Sequence, residues 1–286
     1  MEAKKLHPDA QKLMEYLGYD KAPSTAYNYS RDVSKFLRWV DKPTDELTST
    51  DVTDWYKQLE EEGYSQRSIW RYGWALRSFF DVMGMPELKR RTPIVSYEVP
   101  EPTWLTKSQA MGVIAGIPVL CVSYDLALRV GEVGFLVRSA FNIETGRIEV
   151  KRLKHKGQRD TYILELSDWC LDILNEYLGV GDQGDEDGGE AFPRVHGDIM
   201  FPMSVSTIQR IFRKRANAVG LSEDYTFHSL RHSRVTHIAI KQLEEKGVVD
   251  ELSLSKFAGH LRVETTRTYV HLATKYLAFG RKPRDI

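Results

Sequence analysis

Strand-forming sequence is confined to one stretch of this chain, residues 140–170, and elsewhere apolar residues recur at helical spacing. That confinement excludes barrels, sandwiches and doubly wound sheets. It leaves a mainly α protein with a small β-sheet. Phe141–Val150 and Asp160–Leu166 read as two strands joined by a basic stretch containing Gly157. Helices are expected at 8–17, at 24–40 with Ser24 or Thr25 as cap, from Ser49 to Gly63, and from Ser65 to Met83. Further on, Thr106 caps a helix, Tyr124–Val137 forms an apolar segment carrying Arg129 and Glu132, and helices follow at 171–178, 204–219, 229–246, 251–258 and 264–275.

At 286 residues two domains are the expectation. Pro93, Pro100 and Pro102 mark an extended linker, which divides the chain into a helical domain at 1–92, a linker at 93–102 and a second domain at 103–286. The apolar stretch Met111–Tyr124 is too short to span a bilayer, and the first residues lack the apolar core of a secretion signal. Cys121 and Cys170 sit among apolar residues without metal-type spacing, so buried thiols in a reducing, cytoplasmic setting are expected.

The net charge is zero, which argues against a strongly basic nucleic-acid binder. Its distribution weakens that argument. Residues 191–286 hold 16 bases against 9 acids, while 181–190 hold five acids and no base. The acidic excess is thus partly confined to one expected loop, and a basic face elsewhere is compatible with neutrality.

The last fifth of the chain carries the chemistry. His228 and Arg231 are three apart at a helix start and share a face, so an imidazole and a guanidinium meet one ligand. Guanidinium matches phosphate oxygens and keeps its charge. A surface Arg beside a capping His is the bland account. A zinc helix is disfavoured because position 229 holds Ser229, where a metalloprotease has Glu. Gly259 ends a helix, His260 follows it, and Tyr269 comes nine residues later. Singly, these read as a core histidine and one aromatic among many. Together, a guanidinium, imidazoles and a phenol suit attack by a tyrosine oxygen on a phosphodiester. Arg129 is expected in an otherwise apolar helix within Tyr124–Val137, where it needs an anion: Glu132 alone, or Glu132 and a phosphate.

The patterns His228-Ser229-Leu230-Arg231-His232-Ser233, Ala258-Gly259-His260 and Thr265-Thr266 with Tyr269 and His271 resemble the C-terminal boxes of the tyrosine recombinases, the phage integrase family. Leu128-Arg129 with Glu132 is similar to the family's earlier Arg box. Lys156 falls at the family's hairpin lysine, with His155 replacing the usual glycine and Lys154 as the rival lysine. The resemblance spans essentially the whole chain. It implies a helical, SAM-like core-binding domain followed by a catalytic domain of the DNA breaking-rejoining fold.

The resemblance further implies a site-specific DNA recombinase working through a 3′-phosphotyrosyl intermediate, with Tyr269 as nucleophile and release of a 5′-hydroxyl. Arg129 and Arg231 hold the phosphate, Lys156 protonates the leaving oxygen, and His228 takes the phenol proton. His260 contacts the phosphate or orients its neighbours, and Glu132 supports Arg129. No metal and no other cofactor is required. DNA contacts are expected from Arg67 and Arg71 on the helical domain, and from Lys154 and Arg159 at the hairpin. The implied partners are double-stranded DNA bearing a specific site and further copies of the chain, as a tetramer on paired sites and a monomer or weak oligomer without DNA; no membrane is implied. The alternatives are a type IB topoisomerase-like nicking-closing enzyme, a catalytically inactive DNA-binding protein on the same scaffold, and a plain helical interaction protein.

Overall fold

The computed structural model describes residues 6–153, 159–179, 197–260 and 262–279. Two compact units emerge, with the division between Pro100 and Glu101.

The first unit holds α1 (Pro8–Gly18), α2 (Pro23–Val40), α3 (Ser49–Glu61), α4 (Gln66–Val82) and α5 (Pro86–Arg91). Each start follows from local chemistry. Proline opens α1, α2 and α5, where its fixed φ suits the first turn and its missing N–H is not needed. Thr48 and Asp51 form a reciprocal capping box on α3, and Ser65 caps α4. The apolar faces bury Val33, Phe36, Trp55, Leu59, Leu76 and Phe80 in one core, with Phe36 and Trp55 meeting edge to face at 5.9 Å. Gly73 lies inside α4, where glycine is normally unfavourable. Close approach explains it: a Cβ there would sit 2.7 Å from Tyr56 Oη and 2.8 Å from the Pro93 carbonyl. The Tyr56 hydroxyl donates to that carbonyl at 2.7 Å.

The second unit holds α6 (Lys107–Ile114), α7 (Pro118–Asp125), α8 (Val130–Val133), β1 (Phe141–Asn142), β2 (Arg147–Leu153), β3 (Arg159–Glu165), α9 (Asp168–Leu178), α10 (Val205–Ala218), α11 (Phe227–Lys246), α12 (Glu251–Ala258) and α13 (Val263–Phe279). The strands form an antiparallel sheet in the order β1-β2-β3, with Phe141 opposite Ile148 and Glu149 opposite Ile163. Ile148 and Val150 point to the core while Ile163 faces solvent, the alternation of a sheet covered on one face. The fold is therefore mainly helical with a small sheet, as the spacing of apolar residues predicts.

Three expectations about local structure need correction. Neither Ser24 nor Thr25 caps α2, which begins at Pro23 after Ala22 with no side-chain cap, because proline supplies the first-turn geometry and places both hydroxyl residues inside the helix. The single strand expected at 141–150 is broken by a turn at Gly146, whose φ is +64°, and becomes β1 and β2. Tyr124–Val137 is not one continuous helix. α7 ends at Asp125, Ala127 takes a left-handed φ of +50°, and Arg129 is the extended residue that starts the short α8. Apolar content there reflects burial of the turn rather than helical periodicity.

α11 organises this unit. Its first turn buries Phe227 and Leu230 in the cluster containing the sheet. Farther along, Val235 and Ala239 enter a second cluster shared with Ala127, Leu254, Ala258 and Tyr269. Arg234, also on α11, is held by the buried Asp125 at 2.7 Å. Asp125 in addition accepts from the Ser167 backbone N–H and hydroxyl, both at 2.7 Å. α7, the start of α9 and α11 are thereby tied at one buried carboxylate.

Candidate active site

Three short segments converge where α11 begins: the turn between α7 and α8, the end of α12, and the middle of α13. Arg129 and Glu132 come from the first. Glu132, 1% exposed, accepts from the Arg129 backbone N–H and from its guanidinium, both at 2.8 Å. The spacing of three produces this pairing, because Glu132 is also the residue that caps the N-terminus of α8. The other side of the guanidinium donates to the Gly259 carbonyl at 3.3 Å. The Arg129 side chain stays 37% exposed, so its charge is anchored yet open to a ligand.

Arg231 is 1% exposed. Its guanidinium donates to the carbonyls of Ala127 and Ala258. The left-handed turn at Ala127 delivers one of those carbonyls, at a backbone cost of roughly 1–2 kcal/mol. A cation so deep needs several acceptors around it.

Tyr269, on α13, is 3% exposed. Its hydroxyl lies 2.7 Å from Nδ1 of His232. Its ring is stacked at 29° to the His232 ring, and at 10° to His260 with centroids 5.4 Å apart. Burial pushes the phenol pKa up, while the nearby Arg231 and Arg129 charges pull it down. Gly259 closes α12 with a φ of +63°, the left-handed conformation that favours glycine, and this sets His260 just beyond the helix. His260 Nδ1 then pairs with the buried Thr266 hydroxyl at 2.8 Å.

His228 sits one turn before His232, ring edge to ring face at 4.5 Å. The residue is exposed to solvent, but protein crowded around its ring, and then the Arg231 and Arg129 charges, lower its pKa to about 4. His232 is lowered to about 3 by burial, then by His228 and Arg231. Both imidazoles are neutral at pH 7.

Of the expected site residues, Arg129, Glu132, His228, Arg231, His260 and Tyr269 come together here. Lys154 and Lys156 lie outside the described residues, as does the side chain of Arg159. The partner of the phenol is His232, not His228, the acceptor expected for the phenol proton from the sequence. On the helical unit, Arg67 is exposed. Arg71 instead turns its fork onto buried Asp32, with Nε–Oδ2 at 2.6 Å and Nη2–Oδ1 at 3.1 Å.

Other contributors escape sequence reasoning. The carbonyls of Ala127, Ala258 and Gly259 have no side-chain signature. Thr266 does carry a signal, since it stands three residues before Tyr269 on the same helix. His232 carries one too, four residues after His228, but that spacing first suggests a metal pair. On α2 and α4, Arg31, Lys35, Arg38 and Arg71 line a shallow groove together with Trp39 and Tyr64.

The model of the phage integrase family matches residues 107–275, and that of the phage integrase N-terminal SAM-like domain matches residues 10–83. The chain belongs to the phage integrase family. It is 27% identical over 267 residues to the tyrosine recombinase XerA of Thermococcus onnurineus, covering 90% of this chain and 88% of that protein. A tyrosine recombinase of Thermosipho africanus is 25% identical, with 91% and 93% covered. Among solved structures, the XerH site-specific recombinase in a post-cleavage complex with palindromic difH superposes with a TM-score of 0.66 at 14% identity, covering 96% of each chain. A lambda integrase dimer bound to a core site gives 0.63 at 18%, with 91% and 96% covered. At such identities the structural likeness speaks for the fold. Among the described residues no helix is long and apolar enough to cross a membrane.

Proposed function

We propose that this protein is a site-specific DNA recombinase that cuts and rejoins strands of duplex DNA through a 3′-phosphotyrosyl intermediate. The observation that carries this reading is the placement of the Tyr269 hydroxyl. It is hydrogen-bonded to one imidazole, its ring is stacked on a second, and it feels the charges of Arg129 and Arg231.

Tyr269 Oη attacks the scissile phosphorus and the 5′-oxygen leaves. Arg129, anchored by Glu132 and partly exposed, meets the phosphate oxygens directly, and Arg231 adds positive charge from within the protein. Each charge-assisted contact contributes about 1.5–3 kcal/mol. Even two such contacts would fall short of the roughly 8–23 kcal/mol by which enzymes lower barriers, so alignment of the nucleophile and proton transfer supply much of the rest. His228, neutral and at the solvent edge, retains an N–H donor for a phosphate oxygen. His260 orients the phenol and contacts the phosphate. Lys156 is assigned as the acid for the leaving oxygen. The phosphotyrosine keeps the energy of the broken linkage, so rejoining needs no ATP. Tyr269 is 3% exposed, so a phosphate reaches its oxygen only when the site opens.

Two units gripping one duplex suit recognition of a defined site. On the helical unit, Arg31 and Arg38 in the groove, with Trp39 beside them, offer charge for phosphates and an aromatic surface, and exposed Arg67 lies on the same unit, while Lys35 is held by Glu62 at 2.8 Å. Assembly as a tetramer on paired sites, and cytoplasmic action with both thiols reduced and buried, complete the proposal.

The test is incubation with a suicide substrate nicked beside the site. The wild type traps a covalent adduct on Tyr269, and Tyr269→Phe traps none. An adduct at full yield in that variant overturns the reading. Relaxation of any supercoiled plasmid, without exchange between paired sites, assigns the chain to nicking and closing instead.

A further inference from the structure

The proposed reaction needs an acceptor for the phenol proton, and any assignment of that acceptor rests on the reaction itself. The geometry points to His232: we propose that its Nδ1 takes the proton from Tyr269 Oη as that oxygen bonds to phosphorus. Nδ1 and Oη are 2.7 Å apart, the separation at which a proton passes between heavy atoms without rearrangement. In the proposed step His232 holds its proton on Nε2, the tautomer that makes Nδ1 the acceptor and the phenol the donor. The two groups come from α11 and α13, whose packing brings residues 37 positions apart into contact. Rings stacked at 29° with centroids 5.7 Å apart restrict both partners.

His232 is a better placed acceptor than His228. The His228 and His232 rings meet at right angles with centroids 4.5 Å apart, and His228 is exposed to solvent. The groups facing His232 are His228 and Arg231 from its own helix and Tyr269 from α13. The cationic and imidazole neighbours, together with burial, keep His232 neutral, the form able to accept. An incoming phosphate adds negative charge beside this cluster, which raises the basicity of His232 at the moment attack begins.

The step balances. The P–O5′ bond breaks and the P–Oη bond forms. The phenol proton passes to His232, and the 5′-oxygen takes a proton from the general acid. On rejoining, the incoming 5′-hydroxyl gives its proton to the general acid deprotonated in cleavage, its oxygen bonds to phosphorus as the P–Oη bond breaks, and His232 returns its proton to Oη.

The experiment measures single-turnover adduct formation on the nicked substrate for the wild type, His232→Asn, His232→Phe, Lys156→Ala and Tyr269→Phe. Asn places an acceptor near the Nδ1 position but takes no proton, and gel shifts confirm that the variants used still bind the substrate. A second substrate carries sulfur at the bridging 5′ position, a leaving group that needs no acid. Both His232 variants are expected to slow cleavage about 100-fold or more, the usual range for a lost acid or base. Their rates should rise with pH toward the phenol pKa, where the wild type is flat, because only preformed phenolate attacks. The sulfur substrate should leave this defect in place while restoring Lys156→Ala.

Wild-type or faster cleavage in both variants, full rescue by Asn, or rescue by sulfur each overturns the proposal. Faster cleavage makes the hydrogen bond a resting latch, rescue by Asn makes it positional, and rescue by sulfur moves His232 to the leaving oxygen. An adduct in Tyr269→Phe defeats the underlying reading instead, so the two failures are separable.

Discussion

Arg129 and Gly259 are 130 positions apart in sequence, and the guanidinium of the first donates to the carbonyl of the second at 3.3 Å. That carbonyl is aimed by the left-handed backbone of Gly259, and the same turn sets His260 against Tyr269. Gly259→Ala imposes about 1–2 kcal/mol of backbone strain on the turn. The expected result is a lower melting temperature together with slower adduct formation. A substitution that lowered stability without touching cleavage would separate the turn from the chemistry.

Glu132→Gln removes the negative charge that faces Arg129 while keeping its size. The glutamine retains a single oxygen acceptor where the carboxylate takes two hydrogen bonds. A loss of about 1–3 kcal/mol in urea unfolding is expected, with a fall in cleavage rate because Arg129 is no longer held.

Three imidazoles make the second unit sensitive to acid. His232 is lowered to about 3, and His228 and His237 to about 4, each chiefly by burial. Unfolded, each returns to about 6.5. Between those values the unfolded chain binds more protons than the folded one, so stability rises with pH. The full contribution is present above about pH 6.5 and is lost as the pH falls toward 4. Thermal melts between pH 7.5 and 4.5 should show this decline, and His237→Phe should flatten it.

Gly73→Ala tests close packing in the helical unit. The new Cβ meets the Tyr56 hydroxyl and the Pro93 carbonyl at 2.7 and 2.8 Å, and it can be seated only by parting their hydrogen bond. Overpacking of this kind costs about 1–3 kcal/mol, against the few tenths or more that alanine gains elsewhere in a helix. Urea unfolding should show net destabilisation.

Arg67 and Arg71 should differ although they stand four apart on one helix. Arg67→Ala is expected to weaken DNA binding and to lower the salt dependence of log K by about 0.9 per lost phosphate contact. Arg71→Ala strands Asp32, which is 2% exposed. It should cost about 1–3 kcal/mol of stability, below the value for a fully buried pair because Arg71 is partly open to water. Equal behaviour of the two variants in both measurements would refute the distinction.

Much of the fold is legible in the sequence because helices of this length advertise themselves through caps and spacing. Ser65 and Thr106 cap helices and Gly259 ends one as the sequence predicts, while α3 is capped by Thr48, one residue before the Ser49 start read from the sequence. The segment from Tyr124 to Val137 is opaque for a physical reason. Tyr124 to Leu128 are all buried, so the apolar residues there have no period, and the left-handed turn at Ala127 carries no glycine to announce it. The turn between β1 and β2 does leave a trace, since the apolar positions change phase across Gly146, from Phe141 and Ile143 to Ile148 and Val150, but a single run of β-forming residues masks it.

The site divides in the same way. Sequence alone determined the kinds of group present and their local spacing: Arg129 three residues from Glu132, His228 three from Arg231, His260 nine from Tyr269. Tertiary structure alone decided which imidazole meets the phenol, because that depends on how α11 and α13 cross. It also recruited the carbonyls of Ala127, Ala258 and Gly259 around two guanidinium groups. Backbone acceptors are the same at every residue, so only the path of the folded chain selects which of them face a buried charge.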